Sequence, residues 1–494
     1  MRLNLTNFWR KQRLASVGLC SAGFLLFLLP SPLRGQDAAP PAPDKPWSPS
    51  TLGSYEQELS RMGQVNSNAV PIDTQKIYDL PELIDIAERS HPETRVAWEE
   101  ARAGADAVGL SKSAYYPYLA ALASEEYAHQ LFALATVFPG SAIEENAGAD
   151  LNWLLFDFGG RRAGVAEARQ KLMLANVNFN ATHQKIVFGV TESFYDYNTS
   201  RQQVQAAQST LEAARAVADE AKSRFDNGLG TTQDVLQAEQ EMAQADYDLE
   251  AAQGAVSDAQ VTLVDALGIF PNTPIQIAEI PEKPVTNDLD EPLDDLVDRA
   301  LEQRPDLVGK LASLKASQAA VRKARAAYYP KISLSANAGW QKLDVNAYSS
   351  PYTGNSKPDY GAGLEIELPI FDGFERRNNL RIAQSELKAA ESDLTDSRDT
   401  AVEEVIKAYV DLKTALRKQD AAEVLLSAAQ MAFDANMASY KNGLGTYVDV
   451  EIAQKNLAGA RSTLVDTRSA IYTSRTTLAL SVGDLARPAP ANQH

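Results

Sequence analysis

Cysteine and histidine are scarce in this sequence: one cysteine, Cys20, and four histidines occur among 494 residues. Cys20 lies in an N-terminal apolar run that export would remove, so the mature chain would hold no disulfide, thiolate metal site or cysteine nucleophile. The histidines lack the spacing of metal ligands and are expected at the surface: His91, His129, His183 and His494. We therefore expect no catalytic residues, no metal site and no cofactor.

Basic residues are outnumbered by acidic ones. The chain has 47 Lys and Arg against 65 Asp and Glu, a formal net charge of −18. The first 35 residues hold five basic residues and no acid, so the chain without them is more acidic still. Gripping phosphates requires basic surface, which argues against a nucleic-acid partner and favours cation-tolerant surfaces or tunnels.

Only one long apolar run exists, at the N-terminus. The basic stretch MRLNLTNFWRKQR followed by LASVGLCSAGFLLFLL is typical of a signal peptide at 1–35, whose end could lie at 38–39. No other stretch approaches the roughly 18 apolar residues of a membrane-spanning helix, which leaves a soluble exported protein or a membrane β-barrel. Because Leu19 precedes Cys20 and the apolar run continues beyond it, we expect no lipidation.

Three motifs occur twice, in the same order. Residues 91–117 align with 304–330, LLFDFGGRR at 154–162 with PIFDGFERR at 369–377, and RFDNGLGTTQDV at 224–235 with SYKNGLGTYVDV at 439–450. The spacing from the FD motif to the NGLG motif is the same in both copies. This period is too long for a solenoid and predicts an internal duplication. The predicted segments are a Pro-rich linker at 36–75, repeats at 76–280 and 281–483, and a tail at 484–494.

Each predicted repeat contains a helix, two strands and a long helical hairpin. Apolar residues recur every seven positions before each NGLG motif, with Gln419 filling one gap, and this pattern indicates coiled-coil-like packing. The residues in these columns are Val190, Tyr197, Val204, Leu211, Ala218 and Phe225 in the first repeat, and Val405, Leu412, Leu426, Phe433 and Tyr440 in the second. The proline-free stretch 160–225 would span roughly 100 Å as a helix, which suits a tube or a rod.

Four strands with one apolar and one polar face are predicted near 117–134, 148–158, 331–345 and 359–371. One such strand alone fits a half-exposed soluble hairpin, but four in a chain with a signal peptide favour an outer-membrane barrel. Four strands cannot close a barrel, because small barrels need about eight, so other copies must close the open edges. We expect the polar residues Glu365, Glu367, Asp150 and Asn152 to line the lumen. A glycosidase-like pairing of Glu365 with Glu367 is the alternative.

The NGLG motifs do not fit phosphate-binding loops, because no third glycine and no Gly-Lys-Ser/Thr follows them. They predict helix reversals in which a glycine ends one helix and a threonine caps the next. Asp234 and Asp449 lie three residues after Thr231 and Thr446, which is the spacing of a capping box. The predicted hairpin tips are 227–230 and 442–445.

The duplicated AYYP, the FDFGG and FDGFE junctions, ESFYDY at 192–197 and the two NGLGT tips resemble the TolC-type outer membrane factor family. The resemblance covers about 81–485. It implies a mixed α/β membrane protein: a homotrimeric β-barrel with four strands per chain, set in outer-membrane lipid of a Gram-negative cell and continuous with an α-helical periplasmic tunnel. It also implies an exit duct for efflux or type I secretion, served by a periplasmic adaptor and an inner-membrane pump. A periplasmic coiled-coil adaptor or scaffold without a pore is the alternative. The substrate and the pump class stay open.

The resemblance also implies roles for the tips. A ring of Asp449 side chains would narrow the periplasmic entrance, and Tyr440 would bond Asp234 on a neighbouring hairpin to hold it shut. Two positions depart from the family: Gly445 stands where some members have a basic latch, and Ile452 where a second ring acid can occur. The tips would dock the adaptor through Gly228, Leu229, Gly230, Thr231, Gly443, Leu444, Gly445 and Thr446. Leu229 and Leu444 could instead tuck under their own turns.

Overall fold

The computed structural model describes residues 55, 57–59, 71–133, 137–280, 291–347 and 350–485. The chain divides into two units, Met1–Ala69 and Val70–His494. The described residues of the first unit are helical. The signal peptide expected at 1–35, most of the linker at 36–75 and most of the tail at 484–494 lie outside the described residues. The second unit carries all the features that follow.

The first half of the second unit runs from a short strand to a long helical hairpin. Its elements are β1 (Ile77–Tyr78), α1 (Leu80–Ser90), α2 (Pro92–Ser113), β2 (Tyr118–Ala133), β3 (Val137–Phe156), α3 (Gly160–Asp226) and α4 (Thr232–Ala266). The other half follows the same order: β4 (Gln276–Ile277), α5 (Leu293–Gln303), α6 (Pro305–Ala326), β5 (Lys331–Ala347), β6 (Ser350–Glu367), α7 (Glu375–Lys441) and α8 (Tyr447–Val482). Matching helices have nearly equal lengths, and α3 and α7 both have 67 residues. Such a helix is about 100 Å long.

Strands β2, β3, β5 and β6 form one antiparallel sheet in that order. The pairing of β3 with β5 joins the two halves, and β1 pairs in parallel with β4. Within the described residues, β2 and β6 each pair on one side only, so the sheet has two open edges. No helix among the described residues has the length and apolar character needed to cross a bilayer.

Two strands are longer than the sequence predicts. The prediction for the second strand of each half began near 148 and 359, whereas β3 begins at Val137 and β6 at Ser350. The early parts of both strands contain Gly, Pro and Asn, which have low strand propensity and obscured the signal. Pairing with the neighbouring strand holds these parts in the sheet despite that propensity.

The repeated FD motifs build the corners between strand and helix. Asp157 accepts a hydrogen bond from the backbone N–H of Arg161, whose guanidinium lies 4.8 Å from the Tyr115 ring. In the second half, Asp372 pairs with Arg376 at 2.5 Å, and that guanidinium lies 5.3 Å from the Tyr328 ring. The tyrosine of each AYYP motif therefore packs against the arginine of the following FD motif. This contact explains why the two motifs occur together in each half.

The two helical hairpins pack together near their tips. One buried cluster joins α3, α4, α7 and α8 through small residues and aromatic rings, among them Ala221, Ala238, Phe433 and Tyr447. The residues that recur every seven positions lie on the packed face. Val190 and Val405 are fully buried, and Gln419 is 6% exposed. Phe225 is the exception, because it lies at the end of α3 and is 44% exposed.

Candidate functional site

Both hairpin tips have the same backbone. Gly228 and Gly443 adopt left-handed conformations, with φ of 75° and 76°. The N–H groups of Leu229 and Leu444 then reach back to the carbonyls of Arg224 and Ser439, each at 2.8 Å. These bonds end α3 and α7 in the manner of a Schellman motif, so the first glycine of each NGLG is required by φ.

The second glycine of each tip lies where a side chain would be tightly confined. A Cβ on Gly230 would lie 3.0 Å from the backbone nitrogen of Phe225, and a Cβ on Gly445 would lie 3.2 Å from the Cβ of Ser439. The loop presses against the end of its own helix at both places. A long basic side chain at Gly445 would have to displace this contact.

Both predicted capping boxes are present. Thr231 Oγ1 accepts from the N–H of Asp234 at 3.1 Å, and the Asp234 carboxylate accepts from the N–H of Thr231 at 3.2 Å. Thr446 and Asp449 repeat the pair at 3.3 and 3.0 Å. The Thr446 hydroxyl also donates to Asp449 at 2.7 Å, and these bonds lower the pKa of Asp449 below its ordinary value. Asp449 is exposed and therefore stays charged.

Within one chain, the expected bond between Tyr440 and Asp234 is not formed. The Tyr440 side chain is 3% exposed, and its hydroxyl has no hydrogen-bond partner among the described residues. Burial raises the pKa of Tyr440, and the nearby Asp234 carboxylate raises it further. The two groups are thus close enough to interact electrostatically, while the Asp234 carboxylate is engaged in its capping box.

Arg224 is a tip residue that sequence reasoning missed. Its guanidinium donates to the Tyr440 carbonyl at 2.5 Å, the Lys441 carbonyl at 3.3 Å and the Leu229 carbonyl at 3.2 Å. It also lies 4.7 Å from the centre of the Tyr440 ring. A cation from the first hairpin therefore binds the end of α7 in the second. The one available signal was the arginine of RFDNGLG, which aligns with Ser439 in the second copy.

The tip leucines project away from the protein. Leu229 is 69% exposed and Leu444 is 84% exposed, so neither tucks under its turn in the single chain. Other apolar side chains near the tips are also exposed: Leu236, Val448 and Ile452. Glu451, next to Ile452, is paired with Lys455 at 2.7 Å. The tips thus present an apolar surface beside the exposed Asp449.

The sheet places the four expected lumen residues on one face. Directly opposed residues of antiparallel strands share a face, and the register opposes Asp150 to Asn337, Asn152 to Ser335, Ser333 to Glu365 and Lys331 to Glu367. Further along this face, Gln341 donates to Glu144 at 2.8 Å. One face of the sheet is therefore polar over most of its length and carries several carboxylates.

The opposite face of the sheet is apolar, and aromatic side chains lie at both ends of the apolar part. It carries Ile332 and Leu334 opposite Ile366 and Leu364, and extends to Trp340, after which Lys342 pairs with Glu145 at 3.2 Å. Nine residues of β5, Ile332 to Trp340, cover about 25 to 30 Å along the strand. Aromatic rings mark the helical border: Trp153, Phe156, Phe158 and Tyr329. This length and these borders match the outward band of an outer-membrane strand.

An antiparallel sheet with one polar and one apolar face, joined directly to helices about 100 Å long, defines the class of outer-membrane channel proteins with a helical extension. Comparison with known proteins agrees. The family model described as outer membrane efflux protein matches residues 83–269 and 296–484. Protein CyaE of Bordetella pertussis is 30% identical over 409 residues, covering 83% of this chain and 84% of CyaE. The cation efflux system protein CusC of Escherichia coli K12 is 25% identical over 351 residues, 68% of this chain and 72% of CusC.

Among solved structures, the outer-membrane channel OprN superposes with a TM-score of 0.73 at 18% identity, over 85% of this chain and 97% of OprN. The chain belongs to the outer membrane efflux protein family. Members of this family are passive channels of the outer membrane, so the protein is an efflux channel protein and not an enzyme. The expected family is confirmed, and the alternative of a pore-free periplasmic scaffold is set aside.

Proposed function

We propose that three copies of this protein form the outer-membrane exit duct of a tripartite efflux or type I secretion system. The observation that carries the proposal is a sheet with one apolar face, one polar face and two open edges, joined to helices about 100 Å long. The sheet would cross the membrane and the helices would cross the periplasm. Transport through such a duct is passive, and the inner-membrane pump supplies the energy.

Closure of the sheet requires other copies. Open strand edges cannot face lipid, because their N–H and C=O groups would lack partners there. Four strands are too few for a barrel, whereas three copies supply twelve. Family members form trimers and work with an adaptor and an inner-membrane pump. In the proposed barrel, β6 of one copy pairs with β2 of the next, the apolar face contacts outer-membrane lipid, and the polar face lines the lumen.

The matched halves support the internal duplication predicted from the motifs. Each half supplies two neighbouring strands, one short helix pair and one long hairpin, and the family model matches each half separately. A trimer would then contain six similar units around its axis. This pseudo-sixfold arrangement would let the strands and helices alternate evenly around one tube.

The lumen would favour cations. Asp150, Glu365 and Glu367 share the polar face with Asn152 and other uncharged groups. Lys331, opposite Glu367, is the nearest cation on that face. Three copies would place nine of these carboxylates around one channel, and the field of such a ring raises the local concentration of cations.

At the periplasmic end, the two tips would form the gate. Asp449 is exposed and charged at the second tip of each copy and would contribute to an acidic ring. Arg224 fixes the end of α7 to the first hairpin, which would make the two tips of one copy move together. In the closed state, Tyr440 of one copy would bond Asp234 of the next copy, which requires the Asp234 capping box to break. Opening would separate neighbouring copies and break this bond. Gly445 has no basic side chain that could act as a latch, so Arg224 supplies the positive charge at the second tip.

The exposed apolar groups on the tips would dock the periplasmic adaptor. Leu229 and Leu444 are the most exposed, and the glycines and threonines beside them offer a close backbone approach: Gly228, Gly230, Thr231, Gly443, Gly445 and Thr446. Exposed large apolar side chains grouped together mark interaction sites. We further propose export by the signal peptide at 1–35 without lipidation at Cys20.

Extraction and assembly test this proposal directly. The protein should require detergent for extraction from outer-membrane fractions and run as a trimer by native mass spectrometry, with an N-terminus after residue 35 and no acyl group. Release by osmotic shock as a monomer would contradict it. Replacing the lipid-facing Leu364 and Ile366 with Asp should abolish membrane assembly, because charges there would face lipid. The matched control is Asp at Ser124 and Gly363 on the polar face, where both positions have room for the side chain, and this variant should assemble.

A further inference from the structure

A cavity of about 990 Å³ lies beside the corner between β3 and α3. Four basic side chains from three helices line it: Lys112 of α2, Arg162 and Arg169 of α3, and Arg322 of α6. Among the described residues, no acidic side chain lines the cavity. This concentration of positive charge is unexpected in a chain whose acidic residues outnumber its basic ones by 65 to 47.

The four cations have no carboxylate partner among the described residues. The nearby carboxylates on the same corner are already engaged by other cations. Asp157 is held by Arg161, and Glu167 is held by Lys171 at 2.7 Å and by Lys323 at 3.4 Å. All four side chains are exposed, and an anion in the cavity would reduce the repulsion between their like charges, so the site is complementary to a multiply hydrogen-bonding anion.

The cavity begins where the apolar face of the sheet ends. Phe158, which lines the cavity, packs against Phe156 with ring centres 4.7 Å apart and stacks on Tyr329 at 5.2 Å. Phe156 is paired with Ile332 on the apolar face. Tyr115 and Tyr116 complete the aromatic rim of the cavity. Rings of this kind lie at the level of lipid headgroups, and basic residues immediately beyond them face phosphates.

We propose that this cavity binds the phosphate of an anionic lipid headgroup on the periplasmic side of the outer membrane. The inference rests on the proposed function, because the apolar face must contact lipid for a headgroup to reach this level. The arginines offer paired donors to phosphate oxygens, and the rings contact the upper part of the acyl chains. The volume is ample for a glycerophosphate headgroup. Bound lipid would neutralise the repulsion at each corner and fix the junction between sheet and helices.

The test compares two double variants of the full-length protein in detergent. Arg169→Ser with Arg322→Ser removes half of the cavity's cations without touching the corner. Arg417→Ser with Lys418→Ser removes the same charge from exposed positions on α7, roughly 60 Å from the start of that helix. Retention of phosphatidylglycerol and phosphatidylcholine is measured by native mass spectrometry, and binding of inorganic phosphate by calorimetry. Arg169→Lys with Arg322→Lys tests whether the charge alone suffices.

We expect wild type and the α7 variant to retain about one phosphatidylglycerol per chain in preference to phosphatidylcholine. The cavity variant should bind it roughly ten- to a hundred-fold more weakly, and the lysine variant should fall between. Equal retention by both serine variants would overturn the proposal. Inorganic phosphate binding as tightly as phosphatidylglycerol would assign the cavity to a free anion instead. If wild type forms pores in bilayers but shows no lipid preference, the inference alone fails, whereas absence of pores counts against the proposed function.

Discussion

The two hairpin tips share one backbone but differ in the side chains they place beside it. Phe225 and Tyr440 occupy equivalent positions, yet the first is 44% exposed and the second 3% exposed. Thr232 likewise aligns with Tyr447, which is buried. The second tip supplies aromatic rings to the core, and the first supplies Arg224, which binds over one of them. The duplication thus kept the turn and diverged in the contacts that join the hairpins.

The largest expected effect is a difference in stability between equivalent truncations. Tyr440→Ala removes a buried ring from the cluster shared by all four long helices and should cost about 3 to 5 kcal/mol. Phe225→Ala removes a half-exposed ring and should cost under about 1 kcal/mol. Thermal unfolding of the detergent-solubilised protein measures both. Equal losses would show that the tips are equivalent in the assembly.

The next effect concerns the link between the tips. Arg224→Ala removes three hydrogen bonds and the contact with the Tyr440 ring, so the second tip of each copy is held less firmly to the first and the closed ring of tips should open more readily. We expect a several-fold higher mean conductance in planar bilayers, with Arg224→Lys intermediate because it cannot bond three carbonyls in the same geometry. Arg215→Ala is the control, since among the described residues Arg215 makes only a long surface pair with Asp246 at 3.9 Å. An unchanged conductance in Arg224→Ala would remove Arg224 from the gate.

A smaller effect should distinguish Asp449 from Asp234, the carboxylates of the two capping boxes. Asp449→Ala and Asp234→Ala both break a capping box, but Asp449 is exposed and Asp234 is half-buried. We therefore expect only Asp449→Ala to weaken block by divalent cations, while both variants lower the unfolding temperature modestly. Equal weakening of the block in the two variants would contradict the acidic ring at Asp449.

The pH dependence of cation block follows from the lowered pKa of Asp449. The pKa of Asp449 lies below the ordinary 3.8 because the Thr446 hydroxyl and N–H donate to the carboxylate. A lowered pKa means that the carboxylate stays charged, and its stabilising bonds persist, until the pH falls through the folded value. The Asp449-dependent part of cation block should thus be constant between pH 7 and about pH 5. A loss within that range would assign the block to another group.

Tyr440→Phe has the smallest expected effect on stability. The Tyr440 hydroxyl is buried without a hydrogen-bond partner in the single chain, so its removal should leave the unfolding temperature unchanged or slightly raised. If neighbouring copies use this hydroxyl to bond Asp234, conductance should rise modestly in the same variant. A marked fall in unfolding temperature would mean that the hydroxyl is already bonded in the closed assembly.

Much of this structure could be predicted from residue patterns, because the patterns are local or repeated. The glycines and threonines of NGLGT specify a turn and a cap on their own, and strict two-residue alternation in 331–338 specifies a two-faced strand. The early part of β6 could not be found in this way, because its Gly, Pro and Asn are held in the sheet by pairing with β5. Arg224 was missed for a similar reason: its partners are backbone carbonyls 216 and 217 residues away.

Single-channel recording of the purified protein in planar bilayers tests the central claim most directly. Three copies closing one barrel around a carboxylate-bearing face should give uniform conductance steps, and a salt gradient should give a reversal potential that shows preference for cations. Replacing Glu365 and Glu367 with Gln should reduce that preference without removing the steps. Absence of steps, or a preference for anions, would contradict the account.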